Sequence, residues 1–412
     1  MRHLRQRVPG QGDRFREGGS LGGNEMSVEV MVGNKATATA VKLARVQVAS
    51  AFPVTPQTTI TEYLSDMVAN GELDAEFVNV EGELSSQVVV QAASRVGART
   101  FVCTSGPGQL YMHHPMHQTS DNRLPVVMAT VHRGNKGMQP DHTDLMSQMW
   151  TGWIQVYVEH NQEALDTVLM AYKVAEDPRV RLPIAVGYDG YVLSYTAEPV
   201  EIPAQEDVDA WLPPNKPMPS ILPDEVDPST FGRGWGSGDP QERWQVHHDA
   251  IVGAKEVIKE VNESFGETFG RKYGNGLIDE YRTDGAEGIM VAMGSLVGSA
   301  RAAVDRLWDD GKKVGLVKLK CFLPFPTEDF QDIGSRVEAI GMIDRNVCLG
   351  HGGAAYTQIR NATYDLKDRP SVLEFYAGLG GKEVRVSDLY DVGEKILEAA
   401  KGGKVATQVE WV

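Results

Sequence analysis

The sequence predicts an α/β protein whose sheets are mainly parallel, and the order of its apolar segments carries this prediction. Short apolar runs alternate with longer stretches of helical periodicity in the first half of the chain, and the alternation resumes near Gly288. Strands that alternate with helices form parallel sheets that helices cover on both faces. A length of 412 residues with 42% hydrophobic residues is enough for two or three domains with their own cores.

The elements of the first half follow from short apolar runs for strands and from amphipathic periodicity for helices. The predicted strands are Val28–Val32, Phe77–Val80, Thr100–Thr104, Pro125–Val131 and Pro183–Gly187. The predicted helices are Lys35–Val48, Thr58–Asn70 and Leu84–Val96. Gly71 and Gly97 follow the last two helices, where glycine commonly ends a helix.

The composition divides the chain into four segments. Residues 1–25 carry arginine and glycine without the apolar core of a secretory signal, and they are predicted to be a flexible extension. Residues 26–201 form the first α/β unit. Residues 202–250 accumulate proline, glycine and charge, which predicts an extended linker over the surface. Residues 251–412 are predicted to form the second α/β unit.

The second unit shows the same strand pattern, and the linker contains aromatic residues that need a place to pack. The predicted strands are Gly288–Met293, Val314–Leu319, Ala339–Asp344 and Val372–Tyr376. In the linker, Trp211, Phe231 and Trp235 argue against complete disorder, because large aromatic side chains favour burial.

Charge and cysteine content exclude several classes of protein. A formal net charge of −16 argues against a nucleic-acid partner. No run approaches eighteen uninterrupted apolar residues, so a membrane span is not expected. The three cysteines, Cys103, Cys321 and Cys348, lie far apart without a C-x-x-C pair, so the chain alone cannot furnish four cysteines for an iron–sulfur cluster. This usage fits a reducing cytoplasm.

Glu83 is the first candidate for chemistry. It stands where a strand-like run ends and a helical stretch begins, in the segment FVNVEGELSSQVVVQAASR. A carboxylate at such a junction can lie partly out of water and exchange a proton with a heterocycle. The alternative is an ordinary acidic residue that the helix dipole favours, with Glu81 as its neighbour.

Thr55 and Arg133 each follow a predicted strand. Thr55 lies between two prolines in AFPVTPQTT, which hold its backbone out of the helical region. Its alternative role is to cap the helix that begins near Thr58. Arg133 directly follows PVVMATVH, where a guanidinium can bind a carboxylate with two hydrogen bonds. Its alternative role is an ion pair with Asp141 or Asp144.

Further turns and clusters carry weaker signals. The loop TSGPGQ at residues 104–109 could bind an anion through its amides, but it lacks the P-loop pattern, and a tight turn is the favoured interpretation. His113 and His117 could share one helix face, as a metal site requires, yet no acidic residue separates them, which favours a pocket or interface role. The segment Gly187–Gly190 is interpreted as a turn after a strand.

Taken together, several stretches resemble one family over nearly the whole chain from Met26. They are AFPVTPQTTITE, FVNVEGELSSQ, RLPVVMATVHR, DHTDLMSQMWTGWIQVYVEHNQEALD, VGLVKLKCFLPFP, and IGMIDRN followed by GHGG. The chain resembles the alpha subunit of 2-oxoacid:acceptor oxidoreductases such as pyruvate:ferredoxin oxidoreductase. The resemblance implies a pyrimidine-binding domain of thiamine diphosphate enzymes at residues 26–201 and a domain like the C-terminal domain of transketolase at residues 251–412.

The resemblance also implies a role for each candidate residue. Glu83 matches the glutamate that contacts the aminopyrimidine ring of thiamine diphosphate, and Pro53 and Gly108 are expected to line the cofactor site. Thr55 matches the threonine of a P-x-T-P motif that binds the substrate, and Arg133 matches an arginine that holds the substrate carboxylate.

Partners follow from the same resemblance. A beta subunit is expected to hold the diphosphate, Mg²⁺ and a 4Fe–4S cluster, and gamma- and delta-type subunits are expected to hold further clusters. Coenzyme A is the expected co-substrate, and a ferredoxin-like acceptor protein or an NAD-reducing subunit receives the electrons. The chain itself should hold no metal and should act in the cytoplasm.

The substrate stays open between several 2-oxo acids. The stretches PMHQTSDNRLP and GNKGMQPDHTD differ from those of many pyruvate enzymes of the family and should line the pocket. Pyruvate or a related aliphatic acid is one expectation, and an aromatic acid such as phenylglyoxylate, as in phenylglyoxylate dehydrogenase, is another. A non-catalytic assembly subunit and a stand-alone anion-binding protein are the competing functional classes, and intact Thr55, Glu83 and Arg133 disfavour the first of these.

Overall fold

The computed structural model describes residues 27–215, 240–402 and 409–412. Its strands are β1 Ser27–Val32, β2 Val48–Ala51, β3 Glu76–Asn79, β4 Thr100–Thr104, β5 Val127–His132, β6 Ile154–Tyr157, β7 Ile184–Asp189, β8 Ala197–Ile202, β9 Ile278–Tyr281, β10 Gly288–Ala292, β11 Val314–Leu319, β12 Cys321–Leu323, β13 Ala339–Asp344, β14 Ser371–Tyr376 and β15 Val409–Trp411.

Helices connect most of these strands. They are α1 Gly33–Leu43, α2 Thr58–Ala69, α3 Glu83–Arg95, α4 Pro107–Tyr111, α5 His113–Asp121, α6 Thr143–Met146, α7 Asn161–Glu176, α8 Val192–Tyr195, α9 Gln205–Trp211, α10 Pro240–Phe269, α11 Leu296–Asp309, α12 Thr327–Arg336, α13 Ala354–Thr363 and α14 Val386–Ala400. None of the helices within the described ranges combines the length and the apolar character that crossing a bilayer requires.

The first sheet has the order β12-β6-β7-β5-β4-β2-β3 and is parallel except at β12. Its central strands β4, β5 and β7 are buried along their whole length, as expected for strands covered on both faces. The register aligns Ala51 at the end of β2 with Asn79 of β3 and with Cys103 of β4. The loops that follow β2, β3, β4 and β5 therefore emerge at one edge of the sheet.

The second sheet has the order β15-β14-β13-β10-β11-β9 and is parallel except at β9. The four strands predicted in this unit are present, with boundaries within one residue of the prediction. The α/β class with mainly parallel sheets is confirmed for both units.

Two predicted elements differ from the structure in an informative way. The helix predicted over Lys35–Val48 ends at Leu43, because Arg45 takes a left-handed conformation with φ of 52° and Val48 begins β2. The strand predicted at Val28–Val32 pairs antiparallel with β8, apart from the main sheet.

Six strands of the described residues were not predicted, namely β2, β6, β8, β9, β12 and β15. Residues of β12 belong in sequence to the second unit, yet Cys321 pairs with Val156 of β6 at the edge of the first sheet. A three-residue strand gives no periodicity that a sequence pattern could reveal.

Helix α10 lies across the boundary predicted at residue 250. Its apolar side packs against α7 and joins the core of the first unit through residues such as Val257, Val261 and Phe265. Trp211 is buried against Phe265 with ring centroids 5.2 Å apart, so part of the predicted linker is a packed helix. Phe231 and Trp235 lie outside the described residues.

Buried charges join the two units. Glu163 on α7 accepts hydrogen bonds from Lys318 and Lys320, each at 2.6 Å, and all three side chains are almost fully buried. Such a cluster would be costly if one partner were removed, because a buried charge would remain without its counter-charge. The two units are therefore held in a fixed arrangement by side chains as well as by the β6–β12 pair.

Candidate functional site

The candidate site lies at the carboxyl edge of the first sheet, where four successive loops meet. Thr55 follows β2, Glu83 follows β3, residues 105–106 follow β4, and Arg133 follows β5. Since β3, β2, β4 and β5 are neighbours in the sheet, these segments lie side by side. Open α/β sheets bind their ligands at this edge.

Arg133 reaches across the edge to the segment that contains Thr55. Its Nη1 donates a hydrogen bond to the carbonyl oxygen of Thr55 at 3.1 Å. Its Nε is buried and has no hydrogen-bond partner within the described part of the chain. A buried guanidinium donor without a partner is costly, so the arrangement favours an anionic ligand beside Arg133. Thr55 itself is half-buried.

Glu83 is the first residue of α3, with Gly82 in an extended conformation before it. The side chain is half-buried, and within the described ranges no residue donates a hydrogen bond to its carboxylate. The carboxylate therefore keeps its acceptor positions for a ligand. The neighbouring Glu81 is exposed and accepts from Ser85, so the two acids differ in role.

Gly108 lies directly against Glu83. A Cβ atom at Gly108 would lie 2.5 Å from Oε1 of Glu83 and 2.6 Å from Oγ1 of Thr104. Real Cβ contacts are essentially never this close, so only glycine leaves the Glu83 carboxylate in this position. The Thr104 hydroxyl is buried and has no hydrogen-bond partner in the described residues.

Gly106 lies in the same loop as Gly108, but it packs against Arg133 and not against Glu83. It has φ of +47°, and a Cβ there would lie 3.3 Å from Cγ and Cδ of Arg133. The amide of Gly106 donates to Asp144, and the amides of Gly108 and Gln109 donate to carbonyls within the loop. These amides are already used, so the loop is the tight turn that the sequence favours and offers little to an anion.

Asp144 and His132 belong to the site, but neither was assigned a role from the sequence, although Asp144 ends the stretch GNKGMQPDHTD that was expected to line the pocket. The imidazole Nδ1 of His132 lies 2.7 Å from Oδ1 of Asp144, and both side chains are fully buried. Oδ2 of Asp144 accepts from the amides of Gly106 and Arg133, each at 3.0 Å. Sequence reasoning considered Asp144 only as an ion-pair partner of the Arg133 side chain. The structure shows that the backbone of Arg133 is what Asp144 binds.

A second buried aspartate, Asp189, connects this edge to the second unit. Its carboxylate accepts from Nε2 of His142 at 3.0 Å, from the amide and hydroxyl of Ser295 at 2.9 and 2.5 Å, and from Nη1 of Arg345 at 3.2 Å. Burial alone would raise the pKa of Asp189, but the Arg345 charge and the His142 contact hold that pKa well below its ordinary value. The residue predicted to lie in a turn is the last of β7 and fixes the two units together.

The remaining predicted residues lie apart from these contacts. Pro53 is exposed in the loop that contains Thr55. His113 and His117 lie on α5 with ring centroids 4.9 Å apart, and His113 contacts Gln148 at 2.6 Å. Within residues 27–215, 240–402 and 409–412 no group of three or more potential ligands is arranged to hold a metal ion.

Family models match both units. The model described as pyruvate flavodoxin/ferredoxin oxidoreductase, thiamine diphosphate-binding, matches residues 39–262. The model described as pyruvate:ferredoxin oxidoreductase core domain II matches residues 286–389. The first match extends through most of α10, which agrees with the packing of that helix on the first unit.

Relatives match almost the full length. The chain is 41% identical over 389 residues to pyruvate synthase subunit PorA of Pyrococcus abyssi, which covers 93% of this chain and 97% of the relative. It is 40% identical over 389 residues to ketoisovalerate oxidoreductase subunit VorA of Pyrococcus horikoshii, with the same coverage of 93% and 97%.

Solved structures share the fold. A 2-oxoglutarate:ferredoxin oxidoreductase from Magnetococcus marinus, solved with 2-oxoglutarate, coenzyme A and succinyl-CoA bound, superposes with a TM-score of 0.68 at 19% identity. That match covers 90% of this chain and 65% of the other, so this chain spans just under two thirds of that protein. A split-gene transketolase in an inactive beta4 tetramer superposes with a TM-score of 0.53 at 12% identity, covering 90% and 99%.

Proposed function

Since the chain belongs to the pyruvate flavodoxin/ferredoxin oxidoreductase family, we propose that it is the subunit of a 2-oxoacid oxidoreductase that carries the pyrimidine-binding half of a thiamine diphosphate site. The family resemblance and the fold class expected from the sequence are confirmed. The observation that supports the cofactor proposal best is the Glu83 carboxylate, which is half-buried, unpaired and held against Gly108.

The proposed reaction is the oxidative decarboxylation of a 2-oxo acid with coenzyme A. The bond between the carboxylate and the 2-oxo carbon breaks, carbon dioxide leaves, and the acyl group forms a thioester with coenzyme A. Two electrons and one proton are released, and the electrons pass to iron–sulfur clusters in partner subunits. Bound thiamine diphosphate supplies the electron sink for the decarboxylation.

The proposed roles of this chain's residues are to bind and orient the cofactor and the substrate and to transfer a proton. Glu83 fits the pyrimidine because its unpaired carboxyl group can share a proton with a ring nitrogen and exchange that proton. Arg133 has an unpaired Nε and can hold the substrate carboxylate. The Thr55 hydroxyl, next to the carbonyl that Arg133 binds, can donate to the 2-oxo oxygen. Gly108 keeps the space that Glu83 requires.

An aliphatic 2-oxo acid is the proposed substrate. The relatives are named for pyruvate and ketoisovalerate, both aliphatic, and each is about 40% identical to this chain over almost its full length. These relatives favour the aliphatic expectation over an aromatic acid such as phenylglyoxylate and over a non-catalytic assembly role. Their names as subunits also support a hetero-oligomer.

The remaining groups are proposed to lie in partner subunits. The used amides of Gly106, Gly108 and Gln109 make the loop a poor site for a diphosphate, which supports a beta subunit that holds the diphosphate with Mg²⁺. The chain has three cysteines, so the 4Fe–4S clusters are assigned to the beta subunit and to gamma- and delta-type subunits. The proposed location is the cytoplasm, where a ferredoxin-like protein or an NAD-reducing subunit would accept electrons.

Glu83→Gln in the assembled complex tests this function. We expect turnover of pyruvate to fall by about 100-fold or more, as for the loss of a proton-transfer group. The matched control is Glu81→Gln, because Glu81 is an exposed acid two residues away and should leave turnover within about twofold. Wild-type turnover in Glu83→Gln would refute the role of this carboxylate.

A further inference from the structure

We propose that Asp144 is a positioning residue that holds the Arg133 backbone and the Gly106 loop in the arrangement that the substrate needs, an inference that rests on the proposed function of Arg133. Asp144 is fully buried and lies on the short helix α6, at the end of the stretch GNKGMQPDHTD that was expected to line the pocket. Its carboxylate makes no hydrogen bond with the proposed cofactor residue Glu83 or with the Arg133 guanidinium.

The Asp144 carboxylate accepts four hydrogen bonds. Oδ2 accepts from the amides of Gly106 and Arg133 at 3.0 Å, and Oδ1 accepts from the amide of Leu145 at 2.8 Å. The fourth contact joins Oδ1 to Nδ1 of His132 at 2.7 Å. A carboxylate has about four lone-pair positions, so Asp144 is saturated. The Leu145 amide belongs to α6 itself, whereas the Gly106 and Arg133 amides belong to the predicted site.

These contacts fix both segments that determine where Arg133 points. The Arg133 amide is held by Asp144, and the Arg133 side chain then runs over Gly106, where a Cβ would lie 3.3 Å from Cγ and Cδ. The same carboxylate oxygen holds Gly106. In this position Nη1 of the guanidinium donates to the carbonyl of Thr55, and Nε has no protein acceptor among the described residues and can donate to a ligand.

His132 holds Asp144 from the opposite side. Its Nε2 is buried, faces Gly187 and has no hydrogen-bond partner within the described residues, so the ring contacts Asp144 through Nδ1, which donates to the carboxylate. The ring stacks on Tyr157 with centroids 5.2 Å apart and an interplanar angle of 14°. The ring is thus fixed by packing, and so is the carboxylate oxygen that it binds.

Steady-state kinetics of the assembled complex can test this role through Asp144→Asn. In Asp144→Asn, one of the two accepting oxygens becomes an NH₂ group, which cannot accept a hydrogen bond from an N–H donor. The Gly106 and Arg133 segments should therefore shift. A misplacement near 1 Å can cost about 100-fold, so we expect KM for pyruvate to rise by about tenfold or more and kcat to change by less than about threefold. In an Arg133→Ala background, Asp144→Asn should raise KM no further, because the two residues act through one contact.

The matched control is Asp166→Asn. Asp166 is also fully buried and accepts from Arg271 and Tyr273, but it lies on α7 and contacts no residue of the site. It should lower thermal stability without changing KM. Asp144→Glu, which keeps the charge, replaces Asp144→Asn if the latter does not assemble, and it should also raise KM.

The outcomes distinguish the positioning role of Asp144 from the proposed function of Arg133. An unchanged KM in Asp144→Asn, or a KM increase that persists in full in the Arg133→Ala background, would overturn the positioning role. Failure of both Asp144 variants to assemble, while Asp166→Asn assembles, would overturn it too and assign Asp144 to folding. An unchanged KM in Arg133→Ala alone would instead reject the proposed function of Arg133.

Discussion

Asp189→Ala should open the contact between the two units, and the size of the effect follows from the contacts that disappear. Asp189 accepts from His142, from two donors of Ser295 and from Arg345, and it is fully buried. Its removal leaves Arg345, which is 8% exposed, without the carboxylate. Removing one partner of a buried ion pair costs about 3–5 kcal/mol. The interface around Ser295 should be destabilised by this amount.

Hydrogen exchange followed by mass spectrometry on the assembled complex measures this cost locally. The Ser295 amide loses its own acceptor in this variant, so the nearby Val297 amide, which donates to the carbonyl of Gly294, reports the opening of the interface. With about 1.4 kcal/mol for each tenfold change, a loss of 3 kcal/mol speeds exchange by roughly 100-fold. Peptides from α14 serve as the internal control, since Asp189 makes no hydrogen bond there.

A double variant separates the cost of the unpaired Arg345 charge from other effects of the Asp189→Ala substitution on the interface. Asp189→Ala with Arg345→Met removes both partners, and replacing a buried pair by apolar groups is often nearly neutral. Exchange at the Val297 amide should therefore move back toward the wild-type rate. Unchanged exchange in Asp189→Ala, or a double variant that exchanges faster than either single variant, would refute the reasoning.

Two further predictions follow from Gly108 and Asp344. Gly108→Ala should weaken thiamine diphosphate binding by about tenfold or more, because the new methyl group displaces Glu83. Titration of the complex with thiamine diphosphate measures this loss. The control is Gly253→Ala, which should bind the cofactor normally because a Cβ atom at Gly253 would have no neighbour within 4 Å. Burial raises the pKa of Asp344 to about 7, above its value in the unfolded chain. Between about pH 4 and 7 the folded state therefore holds a proton on Asp344 that the unfolded chain has lost. The free energy of unfolding should fall as the pH rises through this range. Asp344→Asn should remove this dependence in thermal unfolding of the complex between pH 5.5 and 8, and an unchanged slope would count against it.

The candidate site was only partly accessible to prediction. Glu83, Thr55 and Arg133 were selected because each follows an apolar strand-like run, and the carboxyl ends of parallel strands share one edge. Their contacts with Gly108, Gly106 and Asp144 were not available from this pattern. The hydrogen bond between Arg133 and Thr55 joins residues 78 positions apart, and it depends on β2, β4 and β5 being adjacent.

The sequence by itself determined the α/β class, most strands of both sheets and the start of α3 to within one residue, because periodicity and helix-ending glycines act over a few residues. Tertiary structure decided that β12 crosses to the first sheet, that α10 belongs to the first unit, and that Asp189 meets Arg345, 156 positions away. The physical reason is that these contacts depend on strand order and on the docking of whole units, which no local pattern of residues encodes.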